Sequence, residues 1–227
     1  MSSHEALIRL FIERGVLQFG RFQLKSGRMA PYFFNLAKIH DAVGLTTLGN
    51  YYAAAINQQI KKQGRDFDLI FGPAYKGIAL SVTTALALQK YHIHASVCFN
   101  RKEQKQYGDG GIFIGAEVRH QRVILVDDVL TAGTAIREAI TLLRNAGAVP
   151  VAVFIALDRQ ETAVAIKQDT QQKISTIDAL TKQTGVPVHA LIRFEAILDY
   201  LQKHPEEAIN LDWQATSIYR SRFGCLS

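Results

Sequence analysis

The stretch Val123-Ile-Leu-Val-Asp-Asp-Val-Leu-Thr-Ala-Gly-Thr134 decides how the whole chain is read. Its four opening residues are all apolar and three are β-branched, the pattern of a strand buried on both faces, as in a parallel sheet covered by helices. Two carboxylates stand at the strand's carboxyl end, and small residues then turn the chain into a helix predicted over Thr134 to Asn145. Exposed amides at that helix start, the Thr131 and Thr134 hydroxyls and the close approach that Gly133 permits make an anion cradle, reinforced by the helix dipole, which suits a monoester phosphate. Asp127 and Asp128 are acceptors one short loop away, suited to sugar hydroxyls or, through them, to a divalent metal. The plain alternative is an ordinary strand end followed by a Thr or Asp N-cap. A Walker B strand would need a companion G-x-x-x-x-G-K-[ST], and none is present.

Working outward, the same all-apolar strand pattern alternates with helical periodicity. Strands are predicted at Asp68–Phe71, Ala95–Phe99, Pro150–Leu157 and Val186–Leu191. Helices are predicted from about Leu45 to Lys62, Gly77 to Gln89, Ile174 to Gln183 and Phe194 to Gln202, after an opening amphipathic helix built on Leu7, Leu10 and Phe11 and ended by Gly15. Residues 16–36 read as extended. This alternation defines an α/β class, a doubly wound, mostly parallel sheet flanked by helices. Ligands of such sheets sit beyond the carboxyl ends of the strands. The chemistry is therefore expected at residues 72–77, 100–111, 127–134 and 158–161.

The chain has 227 residues, 48% hydrophobic and 20% charged, with no internal repeat or low-complexity linker, so it is expected to fold as a single domain over 1–227. Its net charge of +6 invites a nucleic-acid reading. However, Lys61-Lys62 is the longest pure basic run, so no nucleic-acid partner is expected and a small anionic ligand explains the excess. Two cysteines, Cys98 and Cys225, form neither a disulfide framework nor a Cys-based zinc site. No signal-peptide pattern and no 18-residue apolar run occurs, so a cytoplasmic protein without a membrane partner is expected. His92 and His94 would share a strand face but lack a third ligand, and Gly108, Gly110 and Gly111 complete no G-x-G-x-x-G. Trp213, Tyr219 and Phe223 are expected to pin the C-terminal segment to the body.

Four further stretches complete the candidate site. Phe71-Gly-Pro-Ala-Tyr-Lys-Gly77 is a strand, tight turn and helix start whose glycines let backbone pack against an anion while Lys76 adds charge. Asn100 to Gly111 reads as a polar, glycine-rich loop whose Arg101, Lys102 and Lys105 can neutralise a leaving anion on closure. Arg159, just past an apolar strand, can pair bidentately with a carboxylate. Near the N-terminus, Phe22 to Arg28 and Pro31 to Asn35 contribute Lys25 as an anion-binding ammonium, and Phe33 and Phe34 as an apolar wall for a planar ring.

The 123–134 string closely resembles the donor-binding motif of the type I phosphoribosyltransferases, and the 22–35 stretches resemble the signature of the orotate phosphoribosyltransferases. The match runs in order from Leu17 to about Leu201. The resemblance implies a hood and base-binding segment over about 1–40 and a donor-binding core over about 65–195. It implies transfer of a phosphoribosyl group from 5-phosphoribosyl 1-diphosphate to orotate, with Lys105, Arg101, Asp127 and Asp128 catalytic. It assigns donor binding to Lys25, Tyr75, Lys76, Arg101, Lys102, Lys105, Tyr107 and the 127–135 run (Asp127, Asp128, Val129, Leu130, Thr131, Ala132, Gly133, Thr134, Ala135). Orotate falls to Lys25, Phe33, Phe34, Thr131 and Arg159. The implied cofactor is Mg²⁺, held through the donor diphosphate and ribose hydroxyls with no direct protein ligand. The implied assembly is a homodimer whose 100–111 loop serves the neighbouring subunit. Tyr107 departs from the family, which commonly has His there. A purine or uracil phosphoribosyltransferase, and a nucleic-acid-binding regulator that kept the donor pocket as a sensor, are the rival readings.

Overall fold

The computed structural model describes residues 3–24, 27–64, 66–105, 111–162 and 174–225, without the side chains of Ser3, Gln63, Gln104 and Lys105. Helix α1 (Ser3–Glu13) buries Leu7, Ile8 and Phe11. Strands β1 (Leu17–Gln23) and β2 (Met29–Phe34) pair antiparallel as a separate two-stranded sheet, Leu17 opposite Phe34 and Phe22 opposite Ala30. Helix α2 (Ala42–Gln63) begins three residues before the expected Leu45, because the Asp41 carboxylate caps it by accepting the Gly44 N–H at 3.0 Å.

The main sheet contains β3 (Leu69–Gly72), β4 (Ser96–Lys105), β5 (Gly111–Gly115), β6 (Arg122–Val129), β7 (Val149–Asp158) and β8 (Val188–Arg193), in the spatial order β5-β4-β3-β6-β7-β8. All neighbours run parallel except the edge strand β5, which is antiparallel to β4. Between strands lie α3 (Lys76–Leu88), α4 (Thr134–Asn145) and α5 (Thr176–Thr184), and α6 (Phe194–Lys203) and α7 (Trp213–Phe223) follow the last strand. Alternate residues of the buried strands face opposite layers. Leu69, Phe71, Val123 and Leu125 pack with Ile136, Ile140 and Leu143 of α4, whereas Ile70, Ile124, Val126 and Phe154 pack with Leu48, Tyr52 and Ile56 of α2. Two covered faces account for strands that are apolar throughout.

The sheet order reverses between β3 and β6, which places the crevice beyond their carboxyl ends at the topological switch point. Among the described residues, no helix is long and apolar enough to cross a membrane.

Several expectations need correction. Residues 100–105 continue β4 rather than forming a loop, and Asn100 pairs with Phe113 across the edge hairpin. Polar side chains are no obstacle there, because an edge hairpin exposes them to water. His92 lies in a left-handed turn after α3, not on a strand. Trp213 stays exposed at the start of α7, while Tyr219 is buried against the body.

Candidate active site

The segment after β3 is shaped by two glycines. A Cβ on Gly72 would overlap the Gly77 carbonyl, and one on Gly77 would come within 2.9 Å of the Val126 carbonyl oxygen, so the loop coils directly on β6. The Ala74–Tyr75 peptide within it is cis, and the Ala74 N–H donates to Asn100 Oδ1 at 3.0 Å. This coil delivers Lys76 to the end of β6, where its Nζ donates to Asp128 Oδ2 at 2.5 Å.

Asp127 and Asp128 are 9% and 6% exposed. Burial, with the Asp128 carboxylate beside it, pushes the Asp127 carboxyl up to about 7. The Asp128 N–H donates to Asp127 Oδ1 at 2.9 Å, and the Tyr52 hydroxyl donates to the Asp127 carbonyl at 2.7 Å. Two carboxylates thus share one cation in a nearly dry site, which leaves acceptor capacity for hydroxyls or a cation. Beyond them, Gly133 (φ +70) is the N-cap of α4 and makes no side-chain cap bond. A Thr or Asp cap is therefore excluded, so the first turn of α4 has no side-chain cap, and Thr131 and Thr134 are exposed beside it.

A cavity of about 740 Å³ connects this cradle to the β1–β2 sheet, with walls formed by Tyr32, Phe33, Lys76, Thr131 and Arg159. Phe33 is the half-exposed ring of the pair, stacked on Phe22 with centroids 5.6 Å apart. Phe34 turns mostly into the core, edge-on to Phe11 at 5.2 Å. Asp128 and Tyr75 line an adjoining cavity of about 330 Å³, and Lys76 reaches both. Lys102 lies over the Tyr75 ring, 4.8 Å from its centroid, whereas Arg101 donates to the Gly111 carbonyl at 3.1 Å. Leu130 is buried, with Val129, Ala132 and Ala135 beside it on the route into α4. Lys25 and Tyr107 lie outside the described residues, as does the Lys105 side chain.

Arg159 is already engaged. Its Nη2 donates to Glu161 at 2.8 Å, its Nε donates to the Tyr32 hydroxyl at 2.9 Å, and its side chain is only 11% exposed. It is neither a solvated surface charge nor a fully free one. Burial opposes its positive charge, but the Tyr32 hydroxyl and the Glu161 carboxylate more than offset this. Sequence reasoning did not assign Arg28, Tyr32 or Glu161 to the site, yet all three line the cavity. The available signal was a phenol inside the apolar run 31–34 and a carboxylate two residues from Arg159.

Comparison with known proteins agrees with this layout. The Phosphoribosyl transferase domain family matches residues 38–189, and the chain belongs to that family of enzymes, which are pentosyltransferases. It is 46% identical over 220 residues to the orotate phosphoribosyltransferase of Marinobacter nauticus, covering 97% of each chain. It is 45% identical over 222 residues to that of Acinetobacter baumannii, covering 97% of this chain and 95% of the other. The crystal structure of orotate phosphoribosyltransferase from Francisella tularensis superposes with a TM-score of 0.76 at 37% identity, covering 96% of this chain and 99% of that one. Within the family, the chain belongs to the orotate phosphoribosyltransferases.

Proposed function

We propose that the chain transfers the 5-phosphoribosyl group from 5-phosphoribosyl 1-diphosphate to N1 of orotate, giving orotidine 5′-monophosphate and diphosphate in pyrimidine synthesis. The observation that carries this reading is a cavity that brings Thr131 and Ala132, just before the N-terminus of α4, together with Phe33 and Arg159, and that shares Lys76 with an adjoining cavity lined by Asp128. The α4 amides and the Thr131 and Thr134 hydroxyls grip the 5′-phosphate. Asp127 and Asp128 hold the ribose hydroxyls and oppose the positive charge that grows on the sugar as the diphosphate departs. Tyr75, Lys76, Arg101, Lys102 and Lys105 stabilise the negative charge on that leaving group. Phe33 and the edge of Phe34 form the wall for the base, Lys25 and Thr131 flank it, and Arg159 takes its carboxylate. No covalent nucleophile is required.

The donor set suits Mg²⁺. The carboxylate pair has one facing cation, Lys76, and Asp127 is held near 7 by burial, a state that a nearby cation would relieve. When bound, the ion would neutralise the donor's diphosphate, while Asp127 and Asp128 hold the ribose hydroxyls that coordinate it.

A homodimer completes the reading. The outward face of α3 is apolar, with Leu86 63% and Val82 40% exposed, next to Tyr75 at 68%. A second copy of the chain seated there would cover this stripe beside the diphosphate loop and bring its own 100–111 segment near the site. Competition among bases tests the acceptor. With equal orotate, uracil and adenine, only orotate is consumed, and consumption of adenine or uracil instead would overturn the assignment.

A further inference from the structure

On the Arg159 side of the cavity three distant segments meet. Glu161 Oε1 accepts from Arg159 Nη2 at 2.8 Å, from the Tyr32 hydroxyl at 2.7 Å and from the Tyr219 hydroxyl at 3.1 Å. Tyr32 spends its proton on Glu161 and accepts from Arg159 Nε, so the four groups form a closed set of donors and acceptors. The backbone between the two charges is fixed as well. Gln160 is 2% exposed with φ +52. Its N–H donates to Asp158 Oδ1 at 2.8 Å, its side-chain oxygen accepts the Glu195 N–H at 2.8 Å, and its carbonyl accepts the Cys225 N–H at 2.7 Å. Such a conformation in a non-glycine residue persists only where its surroundings hold it.

Helix α7 supplies much of that hold. Tyr219 is on it, the Thr162 N–H donates to the Phe223 carbonyl at 2.9 Å, and Glu161 bridges to Gly224 at its end. The Phe223 ring also carries the Arg28 guanidinium, 4.5 Å from its centroid, with Arg222 at 5.2 Å. Arg28 and Arg159 both line the cavity, but no α7 residue does. Glu161 offsets one of these two charges, so the wall they form with it remains net positive. Recognition of a carboxylate by a guanidinium gains from a fork fixed in advance, because less freedom is lost on binding.

We propose that α7 is a positioning element of the acceptor site: Tyr219 acting through Glu161, and Phe223 through its ring, hold Arg159 and Arg28 in register for the carboxylate of the base. The inference rests on the reading that this carboxylate seats at Arg159. Tyr219→Phe and Phe223→Leu in the full chain test it, with Arg159→Lys as the reference. KM for orotate, KM for the donor, kcat and the thermal midpoint are measured on each. A lost hydrogen bond to a charged group corresponds to about tenfold in affinity. Tyr219→Phe is therefore expected to raise KM for orotate by about tenfold and Phe223→Leu, which removes a cation–π contact, by about fivefold, while donor KM and kcat stay within about threefold. A rise of both KM values together with a fall in the midpoint would make α7 merely structural and overturn the inference. So would an unchanged orotate KM in both α7 variants when Arg159→Lys raises it. An Arg159→Lys enzyme with unchanged orotate KM would overturn the underlying placement of the carboxylate, and this inference with it.

Discussion

Replacing Asp127 with Asn isolates the charge of one carboxylate, since an Asn side-chain oxygen can still accept the Asp128 N–H that Asp127 accepts at 2.9 Å. Burial and the adjacent Asp128 raise the Asp127 carboxyl from 3.8 to about 7 in the fold. The folded state therefore binds this proton more tightly than the unfolded chain does, and stability falls as pH rises from about 4 through 7. At about 1.4 kcal/mol per pH unit the full cost is on the order of 4 kcal/mol, and more than half of it accrues between pH 5 and pH 8. Urea unfolding of the ligand-free wild type and Asp127→Asn at the two pH values reads this directly. The Asn variant should gain roughly 2 to 3 kcal/mol relative to wild type on going from pH 5 to pH 8, although it loses turnover. A stability gap equal at both pH values would show that Asp127 is an ordinary carboxylate and would refute the account of a dry, crowded pair.

Three other substitutions probe the remaining parts. Gly72→Ala forces a Cβ onto the Gly77 carbonyl, so it should cost about 3 kcal/mol or more of stability in chemical denaturation, together with donor affinity in titrations. Leu86→Glu places a charge in the exposed stripe of α3 and should convert the proposed dimer to monomers in sedimentation velocity, with activity falling in parallel; a wild type that sediments as a monomer would remove the dimer from the account. Lys105→Ala should lower kcat by about a hundredfold while leaving orotate binding nearly unchanged, and an unchanged kcat would remove this end of β4 from the chemistry.

The buried parallel strands and the helices between them were legible because their periodicity is strong and local. Val123–Val126 reads as a doubly covered strand from four residues, and Gly133 announces the turn into α4. Less legible were features set by distant partners. The β4 extension through Lys105 is polar and is a strand only because β5 pairs with it at the sheet edge. The start of α2 depends on the Asp41 cap rather than on apolar spacing. In the candidate site, Lys76 and Asp128 could each be placed after a strand, but their pairing depends on β3 lying beside β6, which no local pattern states. The engagement of Arg159 did not, because Tyr32 is 127 residues away and Tyr219 lies on a helix with little apolar periodicity.

The most direct test mixes the purified protein with orotate, 5-phosphoribosyl 1-diphosphate and Mg²⁺ and follows the loss of orotate's ultraviolet absorbance. The account predicts loss that requires both donor and metal and does not occur when the donor is omitted, with orotidine 5′-monophosphate recovered as product. Tight donor binding without any loss of orotate would contradict it.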